Sequence, residues 1–193
     1  MKDPLKVIQL YKNEAQLIKK AKRNDREAQH KLYELHASKM LSICRYYIRD
    51  VQHAEDVMIK GFFKVFTKLS GYSGNGSFEG WMRRIMVNEA ISFLRAKKNI
   101  EFSTEEVTVP EHTSNNINTA LEVSEIQQLI DDLPEGYRMV FVMYAIEGYK
   151  HSEISKMLNI SEGTSKSQLF KARQLLQQQL TKLNKINNGT NEI

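Results

Sequence analysis

Apolar residues recur at helical spacing in two stretches of this chain, and the period is lost between them, from Asn99 to about Thr119. The middle stretch holds Pro110 together with Ser, Thr, Asn and acidic residues, a composition typical of a linker. No strand pattern competes with the helical one. The sequence therefore predicts an all-α fold of two small helical domains, over residues 1–98 and 121–193, joined by a flexible acidic linker over residues 99–120.

The first domain is expected to be a helical bundle. One helix spans residues 25–48, a second begins after a cap at Asp50 and ends at the glycine-rich stretch 71–77, and a third follows. The residues predicted to face inward are Ala28, Leu32, Leu35, Ile43, Cys44, Tyr47 and Ile48, then Val51, Ala54, Met58, Phe62, Val65, Phe66 and Leu69, and then Phe78, Trp81, Met82, Ile85, Met86, Ile91 and Leu94.

The second domain is expected to hold four helices. Pro134 can begin the second of them, and Gly148 follows its end. The last helix carries a leucine stripe, which either packs within its own domain or forms a dimer surface. The predicted helices span residues 120–132, 135–146, 152–158 and 162–183, and the stripe consists of Leu175, Leu176, Leu180 and Leu183.

Charge is distributed unevenly along the chain. The net charge is +5, yet no Lys or Arg occurs from Asn99 to Tyr137, where acidic residues are frequent. Two basic blocks separated by an acidic one suggest two contact surfaces for a polyanion. A solvated charge pattern without a partner is the alternative.

The cysteine content and the apolar runs bear on the compartment. Cys44 is the single cysteine, so no internal disulfide can form, which fits a reducing environment. The longest strongly apolar run, Met139–Ile146, is too short to span a bilayer, and the N-terminus has no apolar core of a secretory signal. These features predict a cytoplasmic protein without membrane insertion.

Residues 151–176 have the layout of a helix-turn-helix. Ser152 can cap a first helix, Asn159 and Ile160 can form the tight turn, and Ser161 can cap the second helix. Side chains on the exposed face of that second helix are of the types that bind base edges and phosphates in a major groove. They are Thr164, Lys166, Ser167, Gln168, Lys171 and Arg173. A plain helical hairpin with a polar face is the alternative.

Three segments carry a resemblance to a known family. The stretch LPEGYRMVFVMYAIEGYKHSEISKMLNISEGTSKSQLFKAR, residues 133–173, resembles region 4 of bacterial RNA polymerase sigma factors of the extracytoplasmic-function (ECF) subfamily. HAEDVMIKGFFKVF, residues 53–66, is similar to the region 2 segment that docks on RNA polymerase. GSFEGWMRRIMVNEAISFLR, residues 76–95, is similar to the adjoining segment that melts DNA and reads the upstream edge of the transcription bubble.

The resemblance implies that core RNA polymerase is a partner, through its β′ clamp helices and its β subunit. Glu55 and Asp56 match the acidic pair of the family that packs against the clamp helices, with Phe62 and Phe66 supporting it. An exposed acidic pair on a rigid helix suits a basic groove. Stabilisation of the helix N-terminus is a compatible second role of this pair. The sequence departs from the family pattern at His53, Ile59 and Lys60.

The same resemblance implies contacts with the −10 element of promoter DNA. The loop from Tyr72 to Phe78 matches the family loop that captures a flipped base, and it could equally be a simple interhelix turn. Trp81 is expected in the core rather than as a base wedge. The loop contributes Tyr72, Ser73, Asn75 and Phe78, and the following helix contributes Arg83, Arg84, Asn88, Arg95, Lys97 and Lys98.

For the −35 element, the resemblance places a second set of residues in or beside the major groove. Phe170 is either one of these contacts or a core residue, since Leu169 and Ala172 flank it. The matching groove positions are Lys166, Ser167, Phe170 and Lys171, and the phosphate contacts are Thr164, Gln168 and Arg173.

Two other functional classes compete with this interpretation. A stand-alone helix-turn-helix regulator explains residues 151–173 but gives residues 53–95 no role. An enzyme is disfavoured because the five histidines are scattered and no phosphate loop, metal-ligand cluster or nucleophile elbow occurs. The sequence thus predicts a sigma factor that needs no cofactor and no metal, with an anti-sigma factor left open as a further partner.

Overall fold

The computed structural model describes residues 14–97 and 123–189, with side chains at residues 14–96 and 125–182. All regular elements within these ranges are helical, which confirms the predicted all-α fold. The described residues divide into two compact units, the first ending at Phe93 and the second beginning at Leu94. The predicted linker over residues 99–120 lies outside the described residues.

Ten helical elements follow one another along the described chain. The first set is α1 (residues 14–21), α2 (Arg26–Tyr47), α3 (Val51–Thr67), a 3₁₀ turn (Leu69–Gly71) and α4 (Phe78–Lys97). The second set is α5 (Val123–Asp131), α6 (Glu135–Phe141), a π-helical turn (Val142–Ile146), α7 (His151–Leu158) and α8 (Glu162–Gly189). Among the described helices, none has the length and apolarity required to cross a membrane.

Aspartate side chains cap the N-termini of two helices of the first unit, α2 and α3. The Asp25 Oδ1 accepts a hydrogen bond of 2.9 Å from the Ala28 N–H at the start of α2. The Asp50 Oδ1 accepts one of 2.8 Å from the His53 N–H at the start of α3, as predicted. Each cap satisfies one of the free amide groups of the first helical turn and contributes about 1 kcal/mol.

Most of the predicted inward residues of α2 and α3 are buried, and two predictions are wrong. Leu35 is 52% exposed and Val51 is 50% exposed. In α2 the inward position next to Leu35 is taken by His36, whose Nε2 lies 2.7 Å from the Glu14 Oε1 of α1. Because this carboxylate satisfies the imidazole, a polar residue occupies the core face and the leucine turns to solvent.

Helix α4 belongs to the first unit up to Phe93 and has the apolar face that its period predicts. Its buried side chains are Phe78, Met82, Met86, Val87, Ala90, Ile91 and Leu94, while Trp81 and Ile85 are half-buried. The Lys64 Nζ of α3 donates a hydrogen bond to the Glu89 Oε1 of α4 at the edge of this contact. Helix α3, which was predicted to extend to the glycine-rich stretch at residue 71, ends at Thr67. Leu69 is buried within the 3₁₀ turn that follows.

The second unit is built around α6 and α8. Leu133, Tyr137 and Ala172 form one buried cluster, against which Leu175 and Leu176 pack. Of the two alternatives for the leucine stripe, this contact favours packing within its own domain for Leu175 and Leu176, and the Leu183 side chain lies outside the described residues. Helix α8 runs to Gly189, beyond the predicted end at residue 183. The single helix predicted over residues 135–146 is divided into α6 and the π-helical turn, Val142–Ile146.

Candidate polymerase and nucleic-acid interfaces

The predicted acidic pair lies on an exposed ridge of α3 that also carries apolar side chains. Glu55 and Asp56 are both exposed. Ile59 and Phe63 follow Glu55 at intervals of four residues, so the three share one helix face, and Phe63 is 70% exposed. We call Glu55, Asp56, Ile59 and Phe63 the α3 ridge. The sequence interpretation missed Phe63, although its spacing from Ile59 outside the core stripe is a usable signal.

Phe62 and Phe66 lie beneath this ridge rather than on it. The Phe62 side chain is buried, and its ring centroid is 4.8 Å from that of Tyr33 on α2. Phe66 is half-buried and stacks on Phe62 at 6.0 Å. Both rings therefore help to hold α3 against α2. Because Phe62 is buried, it is a core residue and not a direct contact with a partner, and the predicted support of the acidic pair stays a prediction.

The loop from Tyr72 to Phe78 is braced on both sides. The Tyr72 Oη donates a hydrogen bond of 2.8 Å to the Gly76 carbonyl oxygen. The Lys22 Nζ donates one of 2.6 Å to the Tyr72 carbonyl oxygen and lies 5.6 Å from the Tyr72 ring centroid. Gly74 and Gly76 adopt positive φ angles of 84° and 92°, a region that favours glycine. The loop is thus a defined turn with its tip exposed.

An aromatic cluster forms the base of the same loop. The ring centroids of Tyr72, Phe78 and Trp81 lie 5.2 to 5.8 Å apart. Phe78 is buried, so its predicted place among the DNA-contacting side chains is corrected to a core position. Trp81 is half-buried within the cluster, whereas Ser73 and Asn75 are exposed at the loop tip.

The basic residues predicted to follow the loop lie on α4. Arg84, Asn88 and Arg95 are exposed, and their spacing places them on one face of the helix. Arg83 is half-buried beside this face. The side chain of Lys97 and all of Lys98 lie outside the described residues. The exposed α4 face and the loop tip offer two cations and several amide or hydroxyl groups to a nucleic acid.

The helix-turn-helix is present with the predicted turn. Asn159 adopts the left-handed conformation, with φ 56° and ψ 48°, and ends α7. The Ser161 Oγ accepts a hydrogen bond of 2.9 Å from the Thr164 N–H at the start of α8. Ser152, predicted as the cap of the first helix, lies inside α7 instead; the Glu153 Oε2 accepts a hydrogen bond from the Lys150 N–H at that end.

The residues predicted on the outer face of α8 differ in their solvent exposure. Gln168 is only 2% exposed, so its predicted exposure on the DNA-facing surface is wrong. It belongs to the inward stripe with Ser165 and Leu169. Phe170 is 68% exposed, which excludes the core alternative for this residue. The exposed face, termed the α8 face, consists of Lys166, Ser167, Phe170 and Arg173, with Thr164 and Lys171 half-buried beside it.

A cluster that the sequence did not indicate lies beside the α8 face. The Tyr144 ring stacks on the His151 imidazole with centroids 4.6 Å apart, and the Arg173 guanidinium lies 5.7 Å from the Tyr144 ring centroid. The His151 Nδ1 is 2.8 Å from the Ser165 Oγ. Desolvation lowers the pKa of His151, and the positive charges of Lys166 and Arg173 lower it further, outweighing Glu162.

Comparison with known families gives two matches in the order of the two units. Residues 32–100 match the model of sigma-70 region 2, and residues 124–176 match that of sigma-70 region 4. Among curated proteins, the chain is 29% identical to the ECF RNA polymerase sigma factor SigW of Bacillus subtilis, over 86% of this chain and 96% of that protein. It is 26% identical to the RNA polymerase sigma-H factor of Pseudomonas aeruginosa, over 87% and 94% of the two chains.

A solved structure shares the fold. The sigma factor RpoE from Bartonella quintana, solved with the anti-sigma factor NepR, superposes with a TM-score of 0.52 at 18% identity, over 79% of this chain and 96% of that one. The two region matches together cover more than half of the present sequence. The chain belongs to the sigma-70 family and is an RNA polymerase sigma factor of the ECF type. Its function is to direct RNA polymerase to promoters.

Proposed function

We propose that this chain is a dissociable initiation factor whose work is divided between its two domains. The domain over residues 1–98 binds core RNA polymerase and opens the −10 element, and the domain over residues 121–193 binds the −35 element. The observation that carries this division is the presence of both region matches in one chain, since a helix-turn-helix by itself fits many regulators. The acidic linker over residues 99–120 joins the two activities.

The α3 ridge is the proposed contact with core polymerase, through the β′ clamp helices, with the β subunit as a further partner surface. Its two carboxylates suit a basic groove, and its exposed Ile59 and Phe63 supply apolar area that becomes buried on docking. A cluster that combines a charged pair with a large exposed aromatic ring has the composition of an interface centre.

The Tyr72–Phe78 loop and the exposed α4 face are the proposed −10 surface. The loop tip with Ser73 and Asn75 takes the flipped base, and the two hydrogen bonds that brace the loop keep its conformation defined before DNA binds. Arg84 and Arg95 neutralise strand phosphates near it, with Arg83, Asn88, Lys97 and Lys98 as the remaining contacts of this surface.

The α8 face is the proposed −35 surface. Lys166 and Ser167 lie near the helix N-terminus, where a recognition helix enters the major groove, and Phe170 can contact a thymine methyl group. Lys171 is a further contact in the groove, and Thr164 and Arg173 hold phosphates beside it. Because each domain makes few phosphate contacts, specific binding depends on joining both domains to polymerase.

The chain acts by binding in the cytoplasm, where its polymerase works, and not by catalysis. An anti-sigma factor is proposed as the partner that restrains it. The exposed apolar side chains of the α3 ridge and the α8 face support this, because an inhibitor that covers them blocks both proposed activities and buries apolar surface.

The test is complex formation with sigma-free bacterial core polymerase, followed by gel filtration. Wild-type protein is expected to coelute with the core. The double charge reversal Glu55→Arg/Asp56→Arg is expected to weaken the complex at least tenfold. The matched control is Glu27→Arg/Glu34→Arg, which makes the same charge change on the exposed face of α2. If no complex forms while the protein still shifts duplex DNA, a stand-alone regulator replaces the proposal.

A further inference from the structure

Four side chains of the second unit form a continuous chain of contacts that ends at an exposed arginine. Ser165 of α8 is fully buried and lies 2.8 Å, Oγ to Nδ1, from His151 at the start of α7. The His151 imidazole stacks on Tyr144 of the π-helical turn, with an interplanar angle of 23°. The Arg173 guanidinium lies over the face of the Tyr144 ring. We call this set the Arg173 stack.

The stack restricts a side chain that is otherwise free to rotate. Arg173 is exposed, and an arginine in solvent loses considerable rotamer entropy when it is fixed on a ligand. The ring face of Tyr144 attracts the guanidinium, and His151 prevents the ring from turning away. Ser165 is buried in the domain, so this chain of contacts connects the position of Arg173 to the core of the helix-turn-helix.

The contact with the ring leaves the guanidinium able to bind an anion. A cation–π contact uses the face of the planar group, whereas its N–H donors point outward in the plane. Those donors match the oxygens of a phosphate group. Lys166 lies on the same α8 face, so a backbone phosphate reaching Arg173 meets a second cation nearby.

We propose that Tyr144 is a positioning residue for DNA binding, which presents Arg173 to a phosphate beside the −35 element. The proposal rests on the proposed function of the second domain. Tyr144 itself needs no contact with DNA. Its effect is to reduce the conformational entropy that the Arg173 side chain loses when it binds the phosphate.

The charge state of His151 agrees with this role. The pKa of His151 is lowered from 6.5 by desolvation and by the nearby cations, so the neutral imidazole predominates at pH 7. The carboxylate of Glu162 acts on the pKa of His151 in the opposite sense. A neutral ring supports Tyr144 without adding a third positive charge that would repel Arg173.

The experiment uses the full-length chain reconstituted with core polymerase and a promoter fragment identified by mapping its transcript starts. Binding is measured as Kd over a series of salt concentrations. Tyr144→Leu is expected to weaken binding about three- to fivefold at moderate salt. Tyr144→Phe, which keeps the aromatic ring, is expected to bind with wild-type affinity. Arg173→Ala is expected to lower the salt slope by about one.

The double variant separates positioning from general destabilisation. If Tyr144 acts through Arg173, Tyr144→Leu causes no further loss in the Arg173→Ala background. A loss of the same size in both backgrounds overturns the proposal, as does a Tyr144→Leu holoenzyme that binds like wild type. His151→Ala, which removes the support of the Tyr144 ring but keeps the ring itself, is expected to give a smaller loss. Where Tyr144→Leu lowers the unfolding midpoint, wild-type affinity of the His151→Ala holoenzyme overturns the proposal. Failure of the wild-type holoenzyme to bind any promoter overturns the proposed function itself.

Discussion

Gly61 of α3 lies against Met86 of α4 so closely that a Cβ atom at residue 61 would overlap the Met86 Sδ. Met86 is fully buried, so its thioether has neighbours on every side. The missing side chain therefore allows the close approach of two helices, one of which carries the α3 ridge and the other the exposed α4 face. The relative position of the two proposed contact surfaces of the first unit depends on this pair.

Gly61→Ala is expected to destabilise the first unit. Overpacking a filled core costs about 1–3 kcal/mol, whereas alanine in a helix gains only about 1 kcal/mol over glycine. The measurement is urea unfolding followed by fluorescence of Trp81, the one tryptophan of the chain. Gly80→Ala is the control, since a Cβ there would lie 3.8 Å from the Ser77 side chain, an ordinary van der Waals contact. Equal unfolding midpoints for the two variants contradict the close-approach argument.

Cys44 is expected to be chemically inert in the folded protein. Its side chain is fully buried on α2, and this burial raises the pKa of the thiol to about 12. Since the thiolate is the reactive form, Ellman's reagent at pH 8 should react slowly with native protein and completely in denaturant. No other thiol contributes to the signal. A fast stoichiometric reaction with the native protein disagrees with the structure.

Acid is expected to weaken the second unit through His151. The pKa of His151 is lowered in the folded state from its ordinary value of 6.5, so the unfolded chain binds the proton more readily. The contribution is fully present above about pH 6.5 and is lost as the pH falls from there toward the folded-state pKa. Between pH 7.5 and 5.5, wild type should lose more stability than His151→Gln, measured by hydrogen exchange of α7 and α8. Equal losses contradict this assignment.

The double variant Arg83→Ala/Arg84→Ala is expected to retain polymerase binding and to lose promoter opening. Opening exposes single-stranded phosphates that the α4 cations neutralise, and without them a melted −10 element is stabilised less. The measurement is permanganate reactivity of unpaired thymines on a mapped promoter. Lys19→Ala/Lys20→Ala removes the same charge from exposed positions of α1 and should open DNA normally. Loss of opening in both variants points instead to net charge.

Helical period predicted the elements better than it predicted which polar residues are buried. Most apolar members of the predicted α2 stripe are buried, with Leu35 as the exception. The polar residues His36 and Gln168 are also buried, although Gln168 was predicted on the exposed face. A buried polar residue requires a partner from another part of the chain, such as Glu14 for His36. Such a partner is set by the tertiary fold and leaves no local pattern.

The Arg173 stack was missed for a related reason. Tyr144 and His151 are seven residues apart on two different elements, and Arg173 lies on a third. The π-helical turn gives no pattern that distinguishes residues 142–146 from an ordinary helix end, so the direction of Tyr144 could not be predicted. The α8 face, by contrast, follows from spacing within one helix except at Gln168, and the acidic pair of α3 follows from the resemblance to region 2.

The most direct test of the account is to mix the purified protein with sigma-free bacterial core polymerase and a genomic promoter library, and to map the transcript starts. We expect transcript starts that depend on the added protein and that lie downstream of a shared pair of sequence motifs, one for each domain. Transcription that is unchanged by the protein, or starts that share no upstream motif, would contradict its role in directing polymerase to promoters.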